Sequence, residues 1–284
     1  MTSHEAWSEA QTAATLSVDG HDVSVAYYEA GTEHDGPPVV FLHGIPTWSY
    51  LWRDVAPAVA EDRHVVAPDL VGYGNSAMGD GFDRSIRAQE HVLSALLSTL
   101  GSARCDLVAH DIGGGVALRY ASHRPGDVRR LVLSNAACYD SWPVEFVNGL
   151  GVPGALTELD DEAFESKLDF VFGEGLYGDA ADHEAFVDGM KAPWQSPAGR
   201  TSLERNAVAT NTNHTTELDY GAVTAETLLL WGADDVLQPL DNAERLAADV
   251  AGEAEVEPLE EAYHWVVEDR TTAYRRRLRA FLVD

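Results

Sequence analysis

Residues 12–30 alternate polar and apolar positions on either side of Asp19-Gly20. Period-two alternation about an Asp-Gly pair predicts a β-hairpin. Beyond it, short β-branched runs alternate with segments whose apolar residues recur every three or four positions. The runs at 39–43, 64–68, 105–109 and 131–134 read as strands. Segments 48–60, 84–100 and 112–123 read as helices, the second with Ile86, Val92, Leu93, Leu96 and Leu97 on one face and Gly101 as its stop. The alternation lapses between about 140 and 216, where the pattern is helical, aromatic and rich in Gly. It resumes with strands at 227–231 and 254–259, a helix at 240–250 and a last helix running to the end.

Strand–helix alternation of this kind builds a parallel sheet with crossover helices. The predicted fold class is therefore α/β: a mostly parallel, doubly wound sheet preceded by a hairpin. Residues 1–139 and 217–284 form the core, and 140–216 form a helical insertion. No internal repeat or low-complexity linker breaks this plan.

Charge changes the picture of the surface. The 284 residues carry 47 Asp and Glu against 19 Lys and Arg, a net charge of −28, and Lys167 and Lys191 are the only lysines. The acids are spread along the whole chain, as a solvated acidic surface requires. Such a surface repels nucleic acid and anionic membrane. In molar salt the Debye length shrinks to about 3 Å, so the self-repulsion is screened. We expect a cytoplasmic protein of a high-salt cell. The N-terminal MTSHEAWSEAQ lacks the basic and apolar regions of a signal peptide, and no apolar run has membrane-spanning length. Cys105 and Cys138 border apolar runs and are expected as buried free thiols. The His residues are scattered without metal-ligand spacing, so neither a metal nor another cofactor is expected.

The run Ala109-His110-Asp111-Ile112-Gly113-Gly114-Gly115 joins a predicted strand to a predicted helix. Small residues two places either side of Asp111 permit a sharp turn that lifts its side chain off the sheet. Helix N–H groups and the dipole end then face the carboxylate. Asp111 is a candidate nucleophile, with helix capping as the alternative. Phe41-Leu42-His43-Gly44-Ile45-Pro46 follows another strand, and the N–H groups of Ile45 and Ile112 are candidates for an oxyanion hole. His43 reads as a residue that packs this loop. In Gly232-Ala233-Asp234-Asp235 and the Pro239 that follows, the spacing favours Asp235 as an orienting acid, with Asp234 as a turn residue. His264, beyond the last strand, is the candidate base. The order Asp111, Asp235, His264 is that of nucleophile, acid and base in α/β-hydrolases.

HGIPTWSYLWR (43–53), PDLVGYGNS (68–76), AHDIGGG, WGADDVLQP and YHW together resemble the haloalkane dehalogenase and epoxide hydrolase branch of the α/β-hydrolases. The likeness runs from about residue 20 to the end and is weakest across the insertion. It implies that Asp111 attacks an electrophilic carbon to form an alkyl ester. His264 then activates water, and Asp235 steadies the imidazolium. The partners it implies are a small apolar substrate and water. The insertion becomes a cap over Asp111, its aromatics excluding water.

Two positions depart from the family. Ile112 stands where dehalogenases carry Trp, and Ile45 where they carry a halide-binding Asn. Trp48, Trp142 and Trp194 are the candidate replacement donors. Epoxide opening needs acidic groups in the cap, for which Tyr139, Tyr177, His183, His214 and Tyr220 are the candidates. Asn135 lies where some dehalogenases place their acid, a role Asn cannot fill. It is expected to support Asp235 or to shape a turn. An ester or C–C hydrolase, or a ligand-binding protein that keeps the pocket, are the remaining readings.

The acidic surface makes a prediction. Activity and thermal midpoint should both rise with KCl up to molar concentration. An optimum in dilute buffer with no gain on adding salt would remove the high-salt assignment.

Overall fold

The computed structural model describes residues 2–209 and 211–283. Its strands are β1 (Gln11–Val18), β2 (His21–Ala30), β3 (Val39–Leu42), β4 (Val65–Pro68), β5 (Cys105–His110), β6 (Val128–Ser134), β7 (Glu226–Gly232) and β8 (Ala254–Leu259). They form one eight-stranded sheet in the order β1-β2-β4-β3-β5-β6-β7-β8. The hairpin pairs antiparallel with itself and with β4, and every later pair is parallel. Asp19 and Gly20 turn the hairpin with φ of 51° and 83°, the positive-φ pair that matches strand twist. Strands β3, β4 and β5 are buried at every residue. That explains why they read as unbroken apolar runs, as strands covered on both faces do.

The helices are α1 (His4–Glu9), α2 (Ala56–Val59), α3 (Ile86–Thr99), α4 (Ile112–His123), α5 (Glu145–Leu150), α6 (Asp161–Glu174), α7 (Glu184–Lys191), α8 (Pro197–Val208), α9 (Asn213–Thr216), α10 (Leu240–Asp249), α11 (Val266–Asp269) and α12 (Thr271–Val283). Ser85 caps α3 through the Ala88 N–H. Between β6 and β7 the described residues form helices and turns and no strand. Arg119 of α4 ties this insertion to the sheet layer. It donates to Glu90 of α3 at 3.1 Å and to the His214 carbonyl at 2.8 Å. Among the described residues no helix is long and apolar enough to cross a membrane.

Two expectations need correction. Segment 48–60 is not one helix but a 3-10 turn, Ser49–Trp52, followed by α2. Pro57 has no N–H for the Arg53 carbonyl and its ring crowds that carbonyl, so one helix cannot run through. The last helix is likewise divided at Arg270, whose φ of −127° separates α11 from α12. The pattern also missed α1, which Ser3 caps and whose Trp7 is buried.

The parallel strands bring the ends of β3, β5, β6 and β7 to one edge of the sheet. The close approach there is set by glycine. A Cβ on Gly113 would lie 2.5 Å from the carbonyl oxygens of both Leu42 and His43. Gly113→Ala should therefore destabilise the fold by about 1–3 kcal/mol, the usual overpacking range. Urea unfolding would read this as a lower midpoint with an unchanged slope. A neutral result would mean the elbow is looser than described.

Candidate functional site

Asp111 stands between β5 and α4 with φ of 52° and ψ of −125°. A non-glycine residue persists in such a region only where its surroundings hold it there. The neighbours do so. A Cβ on Gly44 would lie 2.4 Å from the Asp111 Oδ1, and one on Gly114 would lie 2.3 Å from the Ala136 Cβ. The side chain makes no capping bond to α4, so helix capping does not account for it. Instead its Oδ1 accepts the Ile45 N–H at 2.8 Å. Its Oδ2 lies 3.7 Å from the His264 Nε2.

Asp235 follows β7 and His264 follows β8. The His264 Nδ1 donates to the Asp235 Oδ2 at 2.9 Å. That oxygen also accepts the Asn135 Nδ2 at 2.6 Å, and Oδ1 accepts the Leu237 N–H at 2.7 Å. Asn135 in turn accepts the Gly232 N–H at 3.0 Å. Asn135 thus pins the acid-bearing loop to the end of β6 from a left-handed backbone, φ 45°. Asp234, next to the acid, is exposed.

All three ionisable side chains are buried. For Asp235, burial works to raise the pKa. The His264 charge and the hydrogen bonds from His264, Asn135 and Leu237 outweigh it, and the net shift is downward. For His264, burial works downward, but the carboxylates of Asp235 and Asp111 carry it above its usual 6.5. For Asp111, burial dominates and raises the pKa against the pull of His264 and the N–H groups of Ile112 and Ile45.

The loop holding the Ile45 N–H is braced by His43. Its Nε2 accepts the Leu70 N–H and its Nδ1 donates to the Gly44 carbonyl, each at 2.9 Å. Burial lowers its pKa to about 4, so the ring stays neutral in this strut. His110, beside Asp111, is buried and pushed down to about 3 by desolvation. Its Nε2 donates to the His264 carbonyl at 2.8 Å. No local pattern signals that contact, since it joins residues 154 positions apart.

Asp111 and His264 sit in the wall of a cavity of about 300 Å³. Ile45, Pro46, Val236, Leu237, Gln238 and Trp265 line it from the sheet-end loops. Trp142, Val144, Phe146, Val147, Phe170, Val171, Glu174 and Gly175 line it from the insertion.

Of the aromatic and His candidates, only Trp142 lies in this lining. Its buried indole N–H has no hydrogen-bond partner among the described residues. Trp48 and Trp194 donate instead to the carbonyls of Gly189 and Pro46, bracing the loop rather than facing a substrate. Tyr177 is 41% exposed and packs edge-on against Tyr263, outside the cavity. His214 is buried away from it, its carbonyl held by Arg119. The hydroxyls of Tyr139 and Tyr220 donate to Asp249 and to the Thr215 carbonyl, and His183 meets Glu268.

Residues 37–271 match the family described as alpha/beta hydrolase fold. A 2-hydroxy-6-oxo-2,4-heptadienoate hydrolase of Pseudomonas putida is 28% identical over 87% of this chain and 89% of its own. Haloalkane dehalogenase 2 of Mycobacterium bovis is 28% identical over 86% of each chain. Among solved structures, haloalkane dehalogenase DbeA of Bradyrhizobium elkani superposes with a TM-score of 0.76 at 28% identity, covering 95% of this chain and 97% of its own. The chain belongs to the α/β-hydrolase fold family and is a hydrolase.

Proposed function

We propose that the protein hydrolyses small, uncharged, apolar electrophiles through an alkyl ester on Asp111, in the manner of a haloalkane dehalogenase. The observation that carries this reading is the Asp111 carboxylate itself. It is held by the Ile45 N–H and faces His264 at the wall of an apolar cavity. A carboxylate attacks carbon without first losing a proton, so Asp in the elbow suits alkyl transfer. Residues 140–216 act as a cap that keeps bulk water from the ester.

In the first step an Asp111 oxygen bonds to the substrate carbon and the leaving group departs with its electron pair. In the second, His264 takes a proton from water, whose oxygen adds to the ester carbonyl. The Ile45 and Ile112 N–H groups hold the developing oxyanion. On collapse His264 returns that proton to the departing alkoxide, which leaves as the alcohol, and the carboxyl left on Asp111 loses its proton to solvent. Asp235 keeps the Nδ1 proton of His264 in place and stabilises the imidazolium.

A second reading concerns the leaving group. The side chains of Ile45 and Ile112 offer a halide no donor, and Trp48 and Trp194 are already occupied. Burying an anion without hydrogen bonds is costly. Trp142 is left as a candidate donor. This favours keeping epoxide oxygen beside halide among the leaving groups, although the cavity lining holds no Tyr. Carbon–carbon hydrolysis of a carboxylate such as a heptadienoate has less support, because the lining contains no Arg or Lys.

Trapping decides the reading. His264→Phe incubated with 1-iodobutane or 1,2-epoxyhexane should gain the mass of the alkyl or hydroxyalkyl group on Asp111, and Asp111→Ala should gain nothing. Turnover retained in Asp111→Ala would falsify the nucleophile assignment. Halide release against diol formation in the parent separates the leaving groups.

A pH dependence follows from the charges. Ester hydrolysis needs neutral His264, whose resting pKa is raised above 6.5 in part by Asp111. Hydrolysis should thus fall as pH drops through the His264 midpoint of the ester. Alkylation removes the Asp111 charge, so the His264 midpoint should move down in the ester. Asp111→Asn imitates this neutral state. Its His264 midpoint, read by NMR titration, should lie below the parent's; an equal or higher value would remove this coupling.

A further inference from the structure

One peptide group touches both halves of the molecule. The carbonyl of His264 accepts the His110 Nε2 proton at 2.8 Å, on the elbow side. The N–H of the same peptide, that of Trp265, donates to the Gly175 carbonyl at 2.9 Å, on the insertion side. The Trp265 indole N–H makes a second bond to the insertion, to the Phe172 carbonyl at 2.9 Å. Phe172 and Gly175 lie at the C-terminal end of α6, where helix carbonyls have no partner within the helix. Trp265 supplies donors to this end from another part of the chain. Its ring also packs against Phe172 and Phe186 of the insertion and against His110.

The contact leaves no slack. A Cβ on Gly175 would lie 2.3 Å from the Trp265 Nε1. The same end of α6 faces the cavity through Phe170, Val171, Glu174 and Gly175. A substrate that fits or displaces this turn therefore acts on a helix end bonded to the residue next to the base.

We propose that Trp265 is a positioning residue through which the insertion sets His264, so that the fit of a substrate against α6 controls hydrolysis of the ester more than its formation. The kinetic side of this proposal rests on the Asp111-ester reading; the geometric side does not. Ester formation uses Asp111, which is held by Ile45 and the elbow. Hydrolysis uses His264, which depends on the 264–265 peptide for its place.

The test is Trp265→Phe, which keeps an aromatic ring and removes the indole donor. Rapid-quench mass measurement with 1-iodobutane and 1,2-epoxyhexane gives the rates of ester formation and hydrolysis separately. Hydrolysis should slow about tenfold, since small misplacements of a catalytic group carry large rate penalties. At saturating substrate, formation should fall less than hydrolysis, so that the ester accumulates. Gly175→Ala, which presses on the same indole, should give the same split and serves if Trp265→Phe does not fold. Unchanged hydrolysis, or equal falls in both rates, overturns the proposal.

A substrate-free measurement stands beside it. The His264 Nδ1 proton, bonded to Asp235 in the parent, should broaden or move upfield in the NMR spectrum of either variant. If neither electrophile labels His264→Phe, the ester reading loses its support and this signal alone decides the positioning role. Broadening or movement then supports it, and an unchanged signal overturns it.

Discussion

The backbone of Asp111 is held in a region that costs a non-glycine residue on the order of 1–3 kcal/mol, and much of the surrounding sequence answers to that constraint. Gly44 lets the 43–46 loop pass against the carboxylate. Gly113 lets the first turn of α4 meet the carbonyls at the end of β3, and Gly114 makes room for Ala136 after β6. Each small residue serves a different contact. The triple glycine is therefore not a flexible loop but the first turn of a buried helix. Strain is sustained because β3 and β5 are buried at every residue around it, and β6 from Leu131 to Ser134.

Electrostatics then follows from geometry. Asp111, His264 and Asp235 form one buried cluster, the first two in the cavity wall, and each alone would be driven toward neutrality. His264 sits between two carboxylates, and that arrangement keeps a cation affordable in the interior. Asn135 and the Leu237 N–H take part of the Asp235 charge. His43 and His110 are also buried, but their rings face backbone groups and stay neutral. Imidazoles of the same chain thus diverge: two carboxylates draw His264 up, while burial holds His43 and His110 down.

The sheet was legible because period and turn chemistry are local properties. Strands buried on both faces advertise themselves as apolar runs, and Asp19-Gly20 marks its own turn. Asp111, Asp235 and His264 could be picked out because loop position after a strand leaves a signature in small residues and spacing. The destination of a side-chain donor leaves none. Trp48 and Trp194 looked available in the sequence, yet each indole N–H is taken by a backbone carbonyl far along the chain. Tyr177 and His214 likewise lie where tertiary packing of the insertion, not periodicity, puts them. The break of segment 48–60 ahead of α2 has its mark in Pro57, which cannot serve the Arg53 carbonyl, but the apolar pattern runs straight across it.

The rim of the cavity has a consequence for how substrates arrive. Phe170 is 57% exposed and Val236 85% exposed, and both line the cavity. They form an oily lip on a molecule whose net charge is −28. Salts excluded from apolar surface strengthen its burial while screening the acids around it. As the solvent grows saltier, the mouth becomes a better sink for a sparingly soluble molecule. The repulsive skin around it weakens at the same time. Capture and tolerance of the medium would then be two faces of one solvent effect.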